Sequence, residues 1–225
     1  MKIIVFGGNG SIGSEIVRLL QKDSHNQVFC VGHSESKNLQ YRFETESFHE
    51  LLKLGPFDGI VWANGRNIND SILDYSQENL DLLINANLNF ILKSLNLILN
   101  ENAISNKASL VLISSIWQNH ARNLKLSYSV SKAALAGLVK SCAIDLGSKG
   151  IRVNSVSPGV VLNNMSKKNL SEEQISKISS ETPLGHLVTE QEVAKVVSWL
   201  LSDGSSGLTG QDITVDGGWT IARYV

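Results

Sequence analysis

The N-terminal segment constrains the fold of this chain more than any other stretch. Lys2–Phe6 is a short, apolar, β-branched run that stops at a glycine, as buried strands often do. The glycine-rich loop Gly7–Gly13 follows at once, and Ser14–Gln21 then carries apolar residues at helical spacing. In such a unit the glycines let a pyrophosphate approach the backbone, and the helix N-terminus offers it free N–H groups. The pattern predicts a dinucleotide site, although a purely structural glycine turn would look the same.

Strands and helices alternate along the rest of the chain, and most of the strands are continuous apolar runs. Further strands are predicted at Gln27–Val31, Leu39–Phe43, Asp58–Ala63, Ser109–Ile113, Ile151–Val156 and Asp212–Val215, and further helices at Phe48–Leu54, Gln77–Asn100 (one helix or two abutting ones), Leu126–Ser148 and Glu190–Ser202. This order predicts an α/β fold, a Rossmann-like, doubly wound parallel sheet of about seven strands with helices on both faces. With no linker or internal repeat, we expect residues 1–225 to form a single NAD(P)-binding domain.

Composition limits the classes of partner. The chain has 20 basic and 21 acidic residues, a formal net charge of −1 and no basic tail, so nucleic acid is not an expected partner. We identify no apolar run of the roughly 20 residues that a membrane span needs, and we expect a soluble, cytoplasmic protein with no membrane partner. Cys30 and Cys142 each lie in an apolar run, which favours buried free thiols over a disulfide, and we predict no metal site.

A tyrosine and a lysine at helical spacing are the first candidates for chemistry. Tyr128 and Lys132 are four residues apart in a predicted helix, so their side chains share one face. A phenol titrates near ~10, and a neighbouring ammonium favours the phenolate and lowers its pKa. The pair could therefore exchange a proton near neutral pH. Taken alone, such a pair is more often an ordinary surface pair.

The end of the second strand bears on the choice of cofactor. In dinucleotide folds an acidic residue at this position binds the ribose 2′-hydroxyl of NAD. Here the strand is followed by Gly32, His33 and Ser34, and the first acid, Glu35, comes later. We interpret this as room for a 2′-phosphate near His33 and Ser34, which favours NADP over NAD. A solvated loop histidine is the alternative.

Several motifs occur together and in a fixed order along the whole chain. They are the loop Gly7–Gly13, Asn64-Gly65 after the strand Asp58–Ala63, Asn87 in a helix, Ser115 placed 13 residues before Tyr128, the segment Ile151–Gly159, and Leu208–Gln211 with Val215–Gly218. In this combination the chain resembles the short-chain dehydrogenase/reductase family in its single-domain form.

The resemblance implies an NAD(P)-dependent oxidoreductase that interconverts a carbonyl and a secondary alcohol. Tyr128 would be the general acid and base, Lys132 would lower its pKa and bind the nicotinamide ribose, and Ser115 would donate to the substrate oxygen. Asn87, the fourth catalytic residue, would hold a water that links Lys132 to solvent. The implied cofactor-binding residues are Gly7, Asn9, Ser11, Ile12, Gly13, His33, Ser34, Asn64, Gly65, Tyr128, Lys132, Pro158, Gly159 and Val161. The implied partners are a small-molecule carbonyl or alcohol substrate and further copies of the chain in a homodimer or homotetramer.

The chain also departs from the family pattern. Ser11 stands where single-domain members usually have a glycine, alanine and asparagine are exchanged at Ala63-Asn64, and Asn163 stands where a threonine often grips the carboxamide. We expect residues 163–183 to form the mobile substrate loop. The altered motifs keep open a non-catalytic dinucleotide-binding or regulatory protein. The glycine spacing is also that of extended-type sugar-nucleotide epimerases and dehydratases, which carry a further substrate domain.

Overall fold

A computed structural model describes residues 1–32, 46–163, 166 and 170–222. The strands are β1 (Lys2–Phe6), β2 (Gln27–Val31), β3 (Phe57–Trp62), β4 (Ile104–Ile113), β5 (Arg152–Pro158) and β6 (Asp212–Val215). The helices are α1 (Ser11–Leu20), α2 (Glu46–Leu52), α3 (Gln77–Ile84), α4 (Phe90–Asn100), α5 (Leu126–Gly147), α6 (Glu172–Glu181) and α7 (Glu190–Leu201). A π-helical turn, Asn85–Asn89, joins α3 to α4.

The described strands form one parallel sheet in the order β2-β1-β3-β4-β5-β6. The chain leaves β1 toward β2 on one side and later returns to β3 on the other side. The strand order therefore reverses between β1 and β3, and ligands of open α/β sheets bind in the crevice at this point. Gly7 follows β1 and Asn64 lies shortly after β3, so both flank that crevice.

Helices cover both faces of the sheet, and each face has its own apolar core. Alternate residues of a strand point to opposite faces, so Ile4 and Phe6 pack against α4 and α5, whereas Ile3 and Val5 pack against α1 and α7. Burial on both sides explains the continuous apolar runs that identify these strands in the sequence. The predicted doubly wound parallel sheet is confirmed.

One predicted strand lies outside the described part of the chain, and another begins earlier than predicted. The predicted strand Leu39–Phe43 lies outside the described residues, so six of the expected seven or so strands are described. β4 begins at Ile104 rather than at Ser109, because Ile104–Lys107 extends the strand as a less buried segment across a register irregularity. The polar residues of this segment interrupt the apolar run by which the strand was recognised in the sequence.

The segment expected to form the mobile substrate loop, residues 163–183, contains the helix α6 (Glu172–Glu181), and its role as a substrate loop stays a prediction. The N-cap residue Ser171 accepts a hydrogen bond from the Gln174 backbone, and the Gln174 side chain bonds back to the Ser171 backbone. This reciprocal capping box satisfies backbone N–H groups that a helix start otherwise leaves unpaired. The serine–x–x–glutamine spacing could have revealed the helix in the sequence.

One helical segment, Gln77–Asn100, is long and apolar enough by length and composition to cross a membrane, with a mean hydropathy of 1.4. This differs from the expectation that the chain has no such run. The segment spans α3, the π-helical turn and α4, and it places Leu83, Asn87, Ile91 and Leu95 in the interior of the domain. Core helices of α/β domains meet the same criterion, so it is weak evidence for a membrane span.

Candidate active site

The loop after β1 is closed so tightly that side chains do not fit at two of its glycines. Gly7 has a φ of +73°, and a Cβ there would lie 2.6 Å from the backbone nitrogen of Asn64. A Cβ on Gly13 would lie 2.1 Å from the carbonyl oxygen of Gly7. These approaches bring the first turn of α1 close to the ends of β1 and β3. The N-terminus of α1 therefore faces the crevice, as an anion-binding turn requires.

The crevice next to this loop carries a buried acceptor that no protein group uses. Asn64 donates from Nδ2 to the carbonyl of Ala86 at 2.9 Å, while its Oδ1 is buried without a hydrogen-bond partner among the described residues. Cavities of about 760 and 530 Å³ run along Asn64, Gly65 and the glycine loop. A buried polar atom without a partner costs free energy unless a ligand or water satisfies it. The glycine cradle, the α1 N-terminus and this acceptor fit a bound dinucleotide.

Three of the predicted catalytic residues meet at the carboxyl end of the sheet. Ser115 follows β4 and lines a cavity together with Tyr128, which lies in the first turn of α5. Lys132, one turn further along α5, is buried and donates from Nζ to the carbonyl of Ile113 at 2.9 Å. Its Nζ lies 5.9 Å from the centroid of the Tyr128 ring. Tyr128 and Lys132 both line the 530 Å³ cavity with residues of the glycine loop.

The electrostatics of this pair differ from the sequence-based expectation. Burial raises the pKa of Tyr128 above its ordinary value, and the hydrogen bond with Ser115 acts in the opposite direction. Burial also lowers the pKa of Lys132 to about 8. The net shift of the Tyr128 pKa is therefore upward, opposite to the expected direction, and the contribution of Lys132 to this pKa stays a prediction. Spacing in a sequence shows which groups are neighbours, but it does not show how much water the fold removes from them.

Asn87 lies in the π-helical turn and is fully buried. Its Nδ2 donates to the carbonyl of Arg66 at 3.1 Å and to Ser131 Oγ at 2.9 Å, and its Oδ1 accepts from the backbone N–H of Arg66 at 2.8 Å. The side chain thus ties the segment after β3 to α5, one residue before Lys132. π-Helical turns are frequent at functional sites. The water relay implied for Asn87 stays a prediction.

The segment after β5 closes the other side of the cleft. Pro158, Gly159 and Val161 line a cavity of about 250 Å³ together with Ser115 and Tyr128. A Cβ on Gly159 would lie 2.8 Å from the Cβ of Asp216, so the chain passes close to the turn after β6 only because this residue is glycine. These residues lie where the resemblance implies contacts with nicotinamide.

Two departures from the family pattern contact each other. Asn163 donates from Nδ2 to Ser11 Oγ at 3.0 Å, which links the glycine loop to the segment after β5 across the mouth of the cleft. A glycine at position 11 could not accept this bond. The two departures from the family pattern are therefore joined by a direct hydrogen bond.

We expect the two positions to be coupled in cofactor binding. Ser11→Ala and Asn163→Ala should each weaken the affinity for NADPH, and the double variant should lose less than the sum of the two single losses, with a coupling of about 0.5–1 kcal/mol. The measurement is isothermal titration of the four proteins with NADPH. Strictly additive losses would show that the bond does not contribute to the cofactor cleft.

The structure adds residues that the sequence analysis did not select. Arg122 and Lys125 line the cavity beside Tyr128, and Trp219 lines an adjoining cavity with Trp117. Arg122 and Lys125 come from the irregular connection before α5, where no periodic pattern marks them; two basic residues within six positions of Tyr128 were the available signal. Among the other predicted cofactor residues, Asn9 and Ile12 line the cleft cavities, whereas His33 and Ser34 lie outside the described residues.

Comparison with known proteins gives consistent results. Residues 48–220 match a family model described as Enoyl-(Acyl carrier protein) reductase. The chain is 30% identical over 217 residues to 3-oxoacyl-(acyl-carrier-protein) reductase FabG of Chlamydia trachomatis, covering 95% of this chain and 85% of that protein. A short chain dehydrogenase family protein from Francisella tularensis superposes with a TM-score of 0.83 at 30% identity, covering 98% of both chains. Ligand-free aldohexose dehydrogenase from Thermoplasma acidophilum gives a TM-score of 0.88 at 24% identity, covering 100% of this chain and 95% of that one, which is a likeness of fold.

Proposed function

The chain belongs to the short-chain dehydrogenase/reductase family of oxidoreductases, which use a nicotinamide dinucleotide, and from this premise we propose that Tyr128 is the proton donor and acceptor of its reaction. In the reducing direction, the substrate carbonyl carbon gains a hydride and its oxygen gains the proton of the Tyr128 hydroxyl. The products are a secondary alcohol and the oxidised cofactor, and solvent returns the proton to Tyr128. When bound, the cofactor supplies the hydride; the protein supplies position and the proton.

The observation that carries this proposal is that the hydroxyl-bearing side chains of Ser115 and Tyr128 line one cavity, next to the glycine-lined crevice. A carbonyl oxygen in that cavity could accept from both hydroxyls, which stabilises the negative charge that develops on it. Lys132 is mostly protonated at pH 7 with a pKa of about 8, so it presents a buried positive charge beside the Tyr128 ring. That charge favours the phenolate left after proton transfer.

The test is to offer the protein a panel of aldehydes, ketones and oxo acids with NADPH or NADH. Turnover is measured as the loss of absorbance of the reduced nicotinamide. We expect at least one carbonyl compound to be reduced with 1:1 loss of the reduced cofactor. Tight cofactor binding with no turnover across the panel would instead support a non-catalytic dinucleotide-binding protein.

We propose NADP as the preferred cofactor, because no acidic residue directly follows β2 to repel a 2′-phosphate. Stabilisation by a ligand tracks its affinity for the folded protein. At equal concentrations NADPH should therefore raise the melting temperature more than NADH does. A larger shift with NADH would reverse the assignment.

We also propose that the protein is a homodimer or homotetramer in the cytoplasm. On α5, the side chains of Val130 and Ile144 are 48% and 81% exposed, and their spacing places them on the same face of the helix. Burial of this face by a second copy would remove apolar surface from water. Sedimentation velocity should then give a mass at least twice that of the chain, and Ile144→Lys should reduce it; a wild-type monomer would contradict the proposal.

A further inference from the structure

The cavity beside Tyr128 has an unbalanced charge. It has a volume of about 250 Å³, and two cationic side chains, those of Arg122 and Lys125, line it with the Ser115 and Tyr128 hydroxyls. No aspartate or glutamate lines it among the residues that the structure describes. A site built for a neutral carbonyl compound needs no such excess of positive charge.

Lys125 is the more significant of the two cations because it is buried. Its side chain is 9% exposed, and Nζ donates to Asn67 Oδ1 at 2.7 Å and to Asn69 Oδ1 at 2.5 Å. Both partners are neutral amides, so they satisfy two of the three ammonium hydrogens without neutralising the charge. A buried charge is costly unless it is paired, and burial lowers the pKa of Lys125, as does the charge of Arg122, whereas the carboxylate of Asp70 raises it.

The nearest candidate counter-ion is committed elsewhere. Asp70 is buried, and its carboxylate accepts from the backbone N–H of Ser127 at 3.0 Å and from the Ser127 hydroxyl. These bonds fix the start of α5, and Asp70 is not in the lining of the cavity. No ion pair joins Lys125 or Arg122 to a carboxylate among the described side chains.

The position of Lys125 relates this charge to the reaction. Its Nζ lies 5.6 Å from the centroid of the Tyr128 ring. The Nζ of Lys132 lies 5.9 Å from the same centroid. Lys132 belongs to the cofactor cleft, whereas Lys125 belongs to the cavity beside Ser115. A group bound to Lys125 would therefore sit within the same small cavity as a carbonyl bound to Ser115 and Tyr128.

We propose that the substrate is an oxo acid, whose carboxylate binds Lys125 and Arg122 while its ketone faces Ser115 and Tyr128. This rests on the proposed oxidoreductase function and names the substrate class of the same site. The ketone carbon gains the hydride, its oxygen gains the Tyr128 proton, and the product is a hydroxy acid with the oxidised cofactor; the carboxylate is unchanged. An adjoining cavity of about 490 Å³, which Arg122 shares and which the edge-to-face pair Trp117 and Trp219 borders, has room for the rest of the substrate.

The test compares 2-oxo and 3-oxo acids of four to eight carbons with their methyl esters, which keep the ketone but lack the charge. In the wild type, kcat/KM should be at least about tenfold higher for the best acid than for its ester. Lys125→Met should lower kcat/KM for the acid by about 10–100-fold, mainly through KM, and lower that for the ester by a clearly smaller factor. Arg122→Gln, at an exposed position, should reduce the acid preference without risk to folding, and Lys195→Met on α7 is the matched control.

Binding of the same ligands separates this inference from the proposed function. Isothermal titration of the protein saturated with the oxidised cofactor should show tighter binding of the acids than of the esters, and Lys125→Met should reduce that difference. Equal affinity of acid and ester, or equal loss for both in Lys125→Met, overturns the inference even if the esters are reduced. Charge-selective binding with no turnover of any carbonyl compound overturns the proposed function and leaves the anion site standing.

Discussion

Tyr128→Phe is expected to lower kcat for carbonyl reduction by about 10²–10⁴-fold, the range attributed to a positioned general acid. The substitution removes only the Tyr128 hydroxyl, and the ring remains beside Lys125 and Lys132. The affinity for NADPH should therefore stay within about threefold of the wild type. Single-turnover rates and a titration with NADPH measure the two quantities separately.

A matched control is available in Tyr75, a 45% exposed tyrosine that lines none of the cavities near the site. Tyr75→Phe should leave kcat unchanged. If Tyr128→Phe reduced a good substrate at the wild-type rate, proton transfer would have to come from another group, and Tyr128 would be only part of the wall. Loss of cofactor binding together with rate would point instead to a damaged fold.

Much of the architecture could be predicted from the sequence, because strands buried on both faces leave long apolar runs. Gln27–Val31 and Asp212–Val215 have the predicted bounds for this reason. The proximity of Ser115 to Tyr128 could also be predicted, since motifs at the carboxyl ends of parallel strands share one edge of the sheet. What the sequence analysis missed depends on local polar contacts: the capping box at Ser171 and the π-helical turn around Asn87.

The charges of the site were harder to predict than its positions. Helical spacing correctly placed Lys132 near Tyr128, but the direction of the Tyr128 pKa shift depends on burial, which no spacing reveals. Lys125 shows the same limit, because its burial arises from Asn67 and Asn69, which follow β3 and are distant in the chain. Sequence spacing therefore predicted which residues form the site better than it predicted their charges and pKa values.

Lys132→Met is expected to make the protein more stable at pH 7 while it removes most of the activity. Burial lowers the pKa of Lys132 from 10.5 to about 8, so keeping it charged in the folded protein at pH 7 costs about 3 kcal/mol. Methionine fills similar space without a charge. It also loses the hydrogen bond to the carbonyl of Ile113, which offsets about 1–2 kcal/mol of the gain. The expected net rise in melting temperature is a few degrees.

The pH dependence of stability distinguishes this explanation from general repacking. Between pH 8 and 10.5 the unfolded chain holds the Lys132 proton and the folded protein does not, so the free energy of unfolding of the wild type rises with pH across that window. In Lys132→Met this rise should be smaller by about 3 kcal/mol, whereas Lys195→Met, at an exposed lysine on α7, should keep it. Urea unfolding at pH 7, 8, 9 and 10 measures the difference. Parallel pH profiles for all three proteins would mean that Lys132 is not desolvated in solution, and its role as a buried cation beside Tyr128 would then have to be abandoned.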